Sequence, residues 1–324
     1  MILRVGVIGL GIGKRHIIEY NKIPGVQVVG VSDTDPDRLA EVQSEFDIRG
    51  YQSPLGMFES ENLHAVSICT PPKSHLGLTL LAAKAGAHVL CEKPMAPTLG
   101  DCQEMINAAH ESKVKLMLGF KKRFARAYRF LRERGEEWGR PIWAIYKFPI
   151  GYVDKEWFWA RDDAQGPTVE NTVHGVDLLR FLFGEVRRVY AETDNFLAGG
   201  YDAEDSTVFT LRFANRGMAT VGGGCTSLWG FSTERLAIHY ENAVAEVSGP
   251  LDEPRLLEYR LRGSGDVASL QCVDEDGFRG EIEHFITCIR EDKEPIVSGQ
   301  DGMRDLEVCL AILRSGRENR PVEI

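Results

Sequence analysis

Over its first 120 residues the chain alternates short apolar runs with amphipathic stretches, and this alternation restricts its fold most tightly. The runs are RVGVIG, VQVVGVSD, AVSICTPP, HVLCEKP and KLMLGF. All are short and almost wholly apolar, so each reads as a strand buried on both faces. Helix starts lie between them. Asp35-Pro36 and Ser53-Pro54 each pair an N-cap with a first-turn proline. Thr98-Leu99-Gly100-Asp101 approximates a capping box, with Asp in place of the usual Glu or Gln. Strand and helix in alternation predict right-handed crossovers and a doubly wound parallel sheet covered on both faces.

The texture changes near residue 122. RFARAYRFLRERGEEWG reads as one helix, PIWAIYKFPIGY as a strand and VENTVHGVDLLRFLFG as a second helix. Strand-like runs then follow one another to about residue 272. STVFTLRF-ANRG-MATVGGG is expected to form a hairpin closed by a glycine turn. LAIHY-EN-AVAEV is expected to form another, with Asn242 at positive φ. EIEHFITCIR and GMRDLEVCLAILRSG return to helix. The expected architecture is an α/β protein: an N-terminal Rossmann domain over 1–121 and a C-terminal α+β domain over 122–324. The second domain carries a large, mostly antiparallel open sheet, and its C-terminal helix is expected to pack back on the first.

Several function classes are disfavoured by bulk properties. A formal charge of −10 argues against a broad nucleic-acid surface, which needs basic faces. No apolar stretch approaches the roughly 20 residues that span a bilayer, and the chain enters its first strand without a charged leader. Seven scattered cysteines contain no C-x-x-C, which points to a reducing cytoplasm instead of a disulfide framework or structural zinc.

GLGIGKRH, residues 9–16, follows the first strand-like run. A dinucleotide fingerprint would place glycines at 9, 11 and 14, and residue 14 is Lys. The surrounding requirements are nevertheless met: a strand before, a helix pattern after, and an acid at the end of the next strand. That acid is Asp33, 22 residues past Gly11, positioned to hold ribose hydroxyls. Lys14 and Arg15 in the first helical turn oppose the helix dipole by about 0.3–1 kcal/mol each, which a bound anion would reverse. Asp33, Asp35 and Asp37 would repel a 2′-phosphate, favouring NAD over NADP, with Arg38 as a counterweight.

At HVLCEKPMAPT the sequence resembles the glucose–fructose oxidoreductase/inositol dehydrogenase (Gfo/Idh/MocA) family, which carries E-K-P at the end of its fifth strand. VSICTPPKSH is similar to the family's T-P-x-x-x-H segment and LMLGFKKRFARAY to its G-F-x-x-R-F stretch. ENTVHGVDLLRFLFGE resembles its H-x-x-D helix, and FITCIREDKEPIVSGQDGMRDLEV its C-terminal pattern. Family loops usually read G-x-G-x-x-G-x-x-H. Here one residue is missing before the third glycine, so Gly13 takes that place and His16 becomes the trailing His. The resemblance implies a cofactor set of Gly9, Gly11, Ile12, Gly13, Asp33, Thr70, Pro71, Pro72, His75, Glu92 and Lys93. It also implies that Lys93 is catalytic and that Lys93–Pro94 is a cis peptide.

From position alone, Lys93 at a strand's carboxyl end is either a surface turn lysine or a group that donates to a substrate hydroxyl. Glu170, His174 and Asp177 fall at i, i+4 and i+7 of the expected helix, on one face. A histidine beside a carboxylate suits a general base. The family has an Asp where Glu170 stands, which leaves Glu170 between proton relay and substrate contact. His174 and Asp177 have structural readings as well, and the trio has a metal-ligand reading; we expect no metal. His75 reads as cofactor lining or as a helix-start histidine. The basic cluster Lys121–Phe124 reads as a solvated helix start, or as the place where Lys121 or Arg123 reaches the substrate. Trp157 and Trp159 read as a wall for a sugar ring or as core.

The expected activity is NAD-dependent hydride transfer at a secondary alcohol or ketone of a sugar, polyol or related cyclic alcohol, with Lys93, His174 and Glu170 managing the proton. Lys93, Lys121, Arg123, Trp157, Glu170 and His174 are the candidate substrate contacts. The rivals are an NAD-dependent glycosidase that keeps its cofactor bound and a non-catalytic nucleotide sensor. A homodimer or homotetramer through the C-terminal sheet is expected, with neither nucleic acid nor membrane as partner.

Overall fold

The computed structural model describes residues 2–273 and 276–324. It divides the chain into two compact units. One comprises Met1–Phe120 with Phe278–Met303, the other Lys121–Gly277 with Arg304–Ile324.

Six parallel strands form the sheet of the first unit: β1 (Leu3–Ile8), β2 (Val26–Ser32), β3 (Arg49–Tyr51), β4 (Ala65–Ile68), β5 (His88–Cys91) and β6 (Leu116–Leu118). Their order, β3-β2-β1-β4-β5-β6, is that of a doubly wound dinucleotide fold. Five of the six were legible as apolar runs. The exception, β3, is RGY, three residues with a glycine at its centre, too short to show a period. AVSICTPP, third of the legible runs, is therefore the fourth strand. Caps hold where the sequence placed them: Asp35 accepts from the amides of Asp37 and Arg38, and Thr98 from Asp101. Ser53 sits at its N-cap without a side-chain bond.

The domain range 122–324 expected from sequence is interrupted, because Phe278–Met303 belongs to the first unit. Within that unit Phe278 sets its ring edge-on to His16 at 5.9 Å, Arg290 donates to the Pro24 carbonyl, and Gly302 lies against Leu118.

The second unit holds a nine-stranded sheet: β7 (Pro141–Gly151), β8 (Val186–Asp194), β9 (Ser206–Phe213), β10 (Met218–Ser227), β11 (Thr233–Tyr240), β12 (Ala243–Pro250), β13 (Leu256–Leu261), β14 (Ala268–Gln271) and β15 (Val322–Glu323). The order is β14-β13-β12-β11-β7-β10-β9-β8-β15, and every described pair except β7–β10 is antiparallel. Alternate residues of β9 and β11 are buried, the signature of a sheet covered on one face. The helix Val173–Phe183 lies on the covered face. A Cβ on Gly175 would come within 2.8 Å of the Tyr146 ring of β7, and one on Gly223 of β10 within 2.7 Å of Thr172 Oγ1. Both glycines thus allow helix and sheet to close on each other.

Two turn expectations are corrected. Both hairpins form, but the β9–β10 turn places positive φ at Arg216 instead of Gly217. The β11–β12 turn has no positive φ at Asn242. The expected single helix over VENTVHGVDLLRFLFG is also corrected. It is a four-residue helix, Pro167–Glu170, followed by Val173–Phe183. At the break the Thr172 amide reaches back to the Pro167 carbonyl, and the His174 amide pairs with Asn171.

Candidate active site

In the first unit the site is built on the turn after β1. Gly9 has φ +84, and a Cβ there would lie 2.5 Å from the Cys69 carbonyl oxygen, so only glycine lets this turn pass the end of β4. A Cβ on Gly13 would come within 2.9 Å of Val7 and 3.4 Å of Cys69, so Gly13 brings the helix Gly13–Tyr20 down onto the strands. A Cβ on Gly11 would meet no atom within 4 Å, and Ile12 beside it is exposed. The three glycines divide the work of the fingerprint: a tight turn, an open approach for a pyrophosphate, and close helix packing. The shortened loop keeps all three.

Asp33, buried at the end of β2, fastens this loop. Its Oδ2 accepts the Leu10 amide at 2.7 Å and its Oδ1 the Asp35 amide at 2.9 Å. Arg38 reaches Asp33 Oδ2 at 3.2 Å and Asp35 at 3.2 Å. Lys14 and Arg15 do not depend on a bound anion to offset the helix dipole, contrary to the expectation from sequence, because carboxylates of the chain itself answer these cations. Lys14 pairs with Glu41 and Glu45 at 2.8 and 2.6 Å, and Arg15 with Glu19 at 3.0 Å. The residues present fit a dinucleotide: an open cradle over Gly11, a helix N-terminus beneath it, and an acid at the ribose position.

The carboxyl edges of β4 and β5 supply the other wall. Thr70 is half-buried, Pro71 exposed and Pro72 buried. His75 is fully buried, which removes it from the cofactor-lining set. Its Nε2 lies 2.8 Å from the Thr70 carbonyl and its Nδ1 3.1 and 3.2 Å from the carbonyls of Pro94 and Met95. It ties the β4 loop to the loop that carries Lys93, and burial lowers its pKa below the ordinary 6.5. Lys93 is half-buried, and the Lys93–Pro94 peptide is cis as expected. Glu92, expected near the cofactor, is buried. Its Oε1 lies 3.0 Å from His16 Nε2, its Oε2 accepts the Lys93 amide at 3.3 Å, and a Cβ on Gly119 would touch its carboxylate at 3.0 Å. His16 Nδ1 continues to Ser67 Oγ at 3.1 Å, and that hydroxyl to Tyr20 Oη at 2.8 Å. Glu281 stands by the same group, its carboxylate within 4.8 Å of the His16 and Glu92 ligand atoms.

In the second unit, His174 sits in the first turn of Val173–Phe183, 5% exposed, with its ring edge-on to Phe148 at 6.5 Å. Glu170 is half-buried and lies on the preceding short helix, so the single-face spacing assigned to Glu170, His174 and Asp177 does not carry across the break. Asp177 is buried and held by Arg123, whose Nη2 and Nε approach it at 2.6 and 2.9 Å. Beyond it Arg180 binds Asp305 at 2.6 Å, and burial raises the pKa of both acids. This pairing takes Asp177 out of the metal-ligand reading and gives Arg123 a structural partner.

The solvated reading of Lys121–Phe124 is overturned: Lys121, Lys122 and Arg123 are all buried. Lys122 is the deepest, 2.6 Å from Glu234 and 2.8 Å from Asp252, with its ammonium 4.3 Å from the Phe148 ring centre. Burial would lower its pKa, but the two carboxylates outweigh that and raise it. Glu234 also accepts hydroxyls from Tyr128 and, at 2.6 Å, Tyr146. Lys121 lies 3.5 Å from Asp252. Asp252 and Glu234 were missed at the sequence level, since an acid in GPLDEP or STERL carries no motif. Trp159 is core: its indole donates to the Val153 carbonyl and stacks on Tyr201 at 5.1 Å. Trp157 is half-buried against the same cluster.

Residues 3–120 match an oxidoreductase family described as an NAD-binding Rossmann fold, and residues 150–324 match its C-terminal alpha/beta domain. The chain is 28% identical over 345 residues to the myo-inositol 2-dehydrogenase of Thermotoga maritima, covering 99% of this chain and 98% of that protein. Among solved structures, the aldose-aldose oxidoreductase of Caulobacter crescentus, complexed with glycerol, is 25% identical with a TM-score of 0.89, covering 100% of both chains. The WlbA dehydrogenase of Bordetella pertussis, solved with NADH and UDP-GlcNAcA, is 25% identical with a TM-score of 0.88, covering 100% of this chain and 98% of that one. With both domains matched and a Rossmann strand order that presents the glycine loop and Lys93 at its carboxyl edge, the chain belongs to the Gfo/Idh/MocA family of NAD-binding oxidoreductases.

Proposed function

We propose that this chain moves a hydride between NAD and a secondary alcohol or ketone of a sugar, polyol or related cyclic alcohol. The observation that carries the reading is the placement of Lys93. It is half-buried at the carboxyl edge of the parallel sheet, on a loop bracketed by the three carbonyl contacts of His75. Gly9, Gly11, Ile12, Gly13 and Asp33 hold the cofactor, with Thr70 and Pro71 along its path. When bound, NAD supplies the hydride acceptor. Lys93 donates to the reacting hydroxyl oxygen and orients it, and His174 takes the hydroxyl proton as the C–H bond breaks. Glu170 and Trp157 are assigned to substrate contact.

The second unit's outward sheet face supports self-association. Ile145, Val208, Met218 and Val244 lie exposed on that face, on strands β7, β9, β10 and β12. We assign it to a homodimer or homotetramer. All seven cysteines are buried and none is in a disulfide, which supports a reducing compartment such as the cytoplasm. No described helix is long and apolar enough to cross a membrane.

The test is nicotinamide absorbance with NAD, then NADP, across polyols, sugars and sugar phosphates. Lys93→Met is expected to lower turnover by about 10²–10⁴-fold while leaving NADH affinity within about threefold. A panel silent with both cofactors, or a Lys93→Met protein that keeps full turnover, refutes the reading.

A further inference from the structure

Asp33 follows the last residue of β2, at the edge where a doubly wound sheet reads the adenosine ribose. Two residues later Asp35 caps the helix Pro36–Phe46, and it divides its carboxylate between two tasks. Oδ1 accepts the amides of Asp37 and Arg38 at 3.0 and 3.1 Å, which closes the helix start. Oδ2 lies 3.2 Å from Arg38 Nη2. The other arm of the same guanidinium, Nη1, lies 3.2 Å from Asp33 Oδ2. Arg38 is therefore clamped between two carboxylates, although its side chain is 46% exposed and that of Asp35 43%. An ion pair this exposed contributes little to stability, so its consequence lies in what it does to the guanidinium. Asp33 also accepts the amides of Leu10 and Asp35, so the backbone fixes its position independently of Arg38. Lys14, the other cation facing this helix, is answered in the same way, by Glu41 and Glu45.

We propose that Asp35 is a cofactor-specificity residue that works through Arg38: by holding one arm of the guanidinium it keeps Arg38 from a 2′-phosphate, so the site selects a dinucleotide with a bare 2′-hydroxyl. The inference rests on the reading that Asp33 stands at the ribose. An arginine beside the ribose is the group that accepts a 2′-phosphate, in a two-pronged contact that uses both arms of the fork. With Asp33 on one arm and Asp35 on the other, the fork is occupied. Two acids against one base also leave this cluster with a net negative charge, to which the exposed Asp37 of the same turn adds. In Asp35→Asn the amide oxygen still caps the helix, while an NH2 group replaces Oδ2 and has no lone pair to offer the guanidinium. One arm of Arg38 is then released, and the pair formed by Arg38 and Asp33 is neutral.

The experiment titrates NADH and NADPH, without substrate, into the wild type, Asp35→Asn, Arg38→Gln and the double variant, by calorimetry. The wild type is expected to bind NADH at least about tenfold more tightly than NADPH. Asp35→Asn is expected to shift the affinity ratio toward NADPH by about tenfold or more. The cycle separates a clamp from plain repulsion by Asp35. Arg38→Gln should move the ratio by no more than about threefold in the wild type, but by about tenfold or more, back toward NADH, in the Asp35→Asn background. Equal effects in the two backgrounds overturn the proposal. So does a wild type that binds NADPH as tightly as NADH, or a folded Asp35→Asn protein with an unchanged ratio. If Asp35→Asn does not fold, Asp35→Ser, which also caps a helix and carries no charge, takes its place in the cycle. Asp33→Ala tests the reading beneath: unchanged NADH affinity removes Asp33 from the ribose and overturns the proposal with it. Weakened NADH binding in Asp33→Ala supports that reading, and a failed cycle then counts against Asp35 alone.

Discussion

The glycine loop separates stability from cofactor binding, and three alanine substitutions expose the separation. At Gly9 an alanine must hold φ +84 and place its Cβ 2.5 Å from the Cys69 carbonyl oxygen. The left-handed backbone costs about 1–2 kcal/mol, and displacing strand backbone about 1–3 more, so Gly9→Ala should lose about 2–5 kcal/mol. At Gly13 the neighbours are the side chains of Val7 and Cys69, which can yield, and the loss should be about 1–3 kcal/mol. At Gly11 nothing stands within 4 Å and φ is not positive. Restricting the unfolded chain there should leave stability unchanged or raise it by about 0.4–1 kcal/mol. The same methyl occupies the space that lets a pyrophosphate approach the backbone, so NADH affinity should fall by about tenfold or more. Urea denaturation of the cofactor-free proteins and fluorescence titration with NADH read the two effects independently. A Gly11→Ala protein that binds NADH like the wild type refutes the reasoning, as does one that loses as much stability as Gly9→Ala.

Other consequences follow from the buried polar groups. Lys122→Met leaves Glu234 buried with its cation removed and should cost about 3–5 kcal/mol; adding Glu234→Gln should recover a large part, and a double substitution no more stable than the single one would count against the ion-pair account. Burial lowers the His75 pKa in the folded protein, so as pH falls the unfolded chain takes up its proton first, near 6.5. Stability is therefore full above that pH and falls as pH drops through it. Urea midpoints measured from pH 8 to 5 should fall less steeply in His75→Gln than in the wild type. An identical slope would show that His75 has no part in the dependence.

Much of the first unit was legible because a strand buried on both faces leaves a run of apolar residues that few other structures produce. The glycine loop, Asp33 and Lys93 were legible for a related reason: their roles depend on position at the end of such a strand. RGY was not legible, since three residues show no periodicity. The break after Glu170 was invisible because Asn171 and Thr172 keep helical backbone angles on either side of an altered hydrogen-bond register. His75 was misread because its neighbours in sequence do not reveal that three carbonyls surround it.

The sequence by itself determined the alternating architecture, the cofactor loop and the lysine at the sheet edge, because these follow from local pattern and chain direction. Tertiary structure alone decided which charges are satisfied and by whom. KKRF reads as a solvated turn until residues 54 and 112 positions away, Asp177 and Glu234, close on Arg123 and Lys122. Composition counts charges and periodicity assigns them to faces. A charge's partner is settled only when the β-sheet brings distant segments together, where burial makes an unmatched charge too costly to keep.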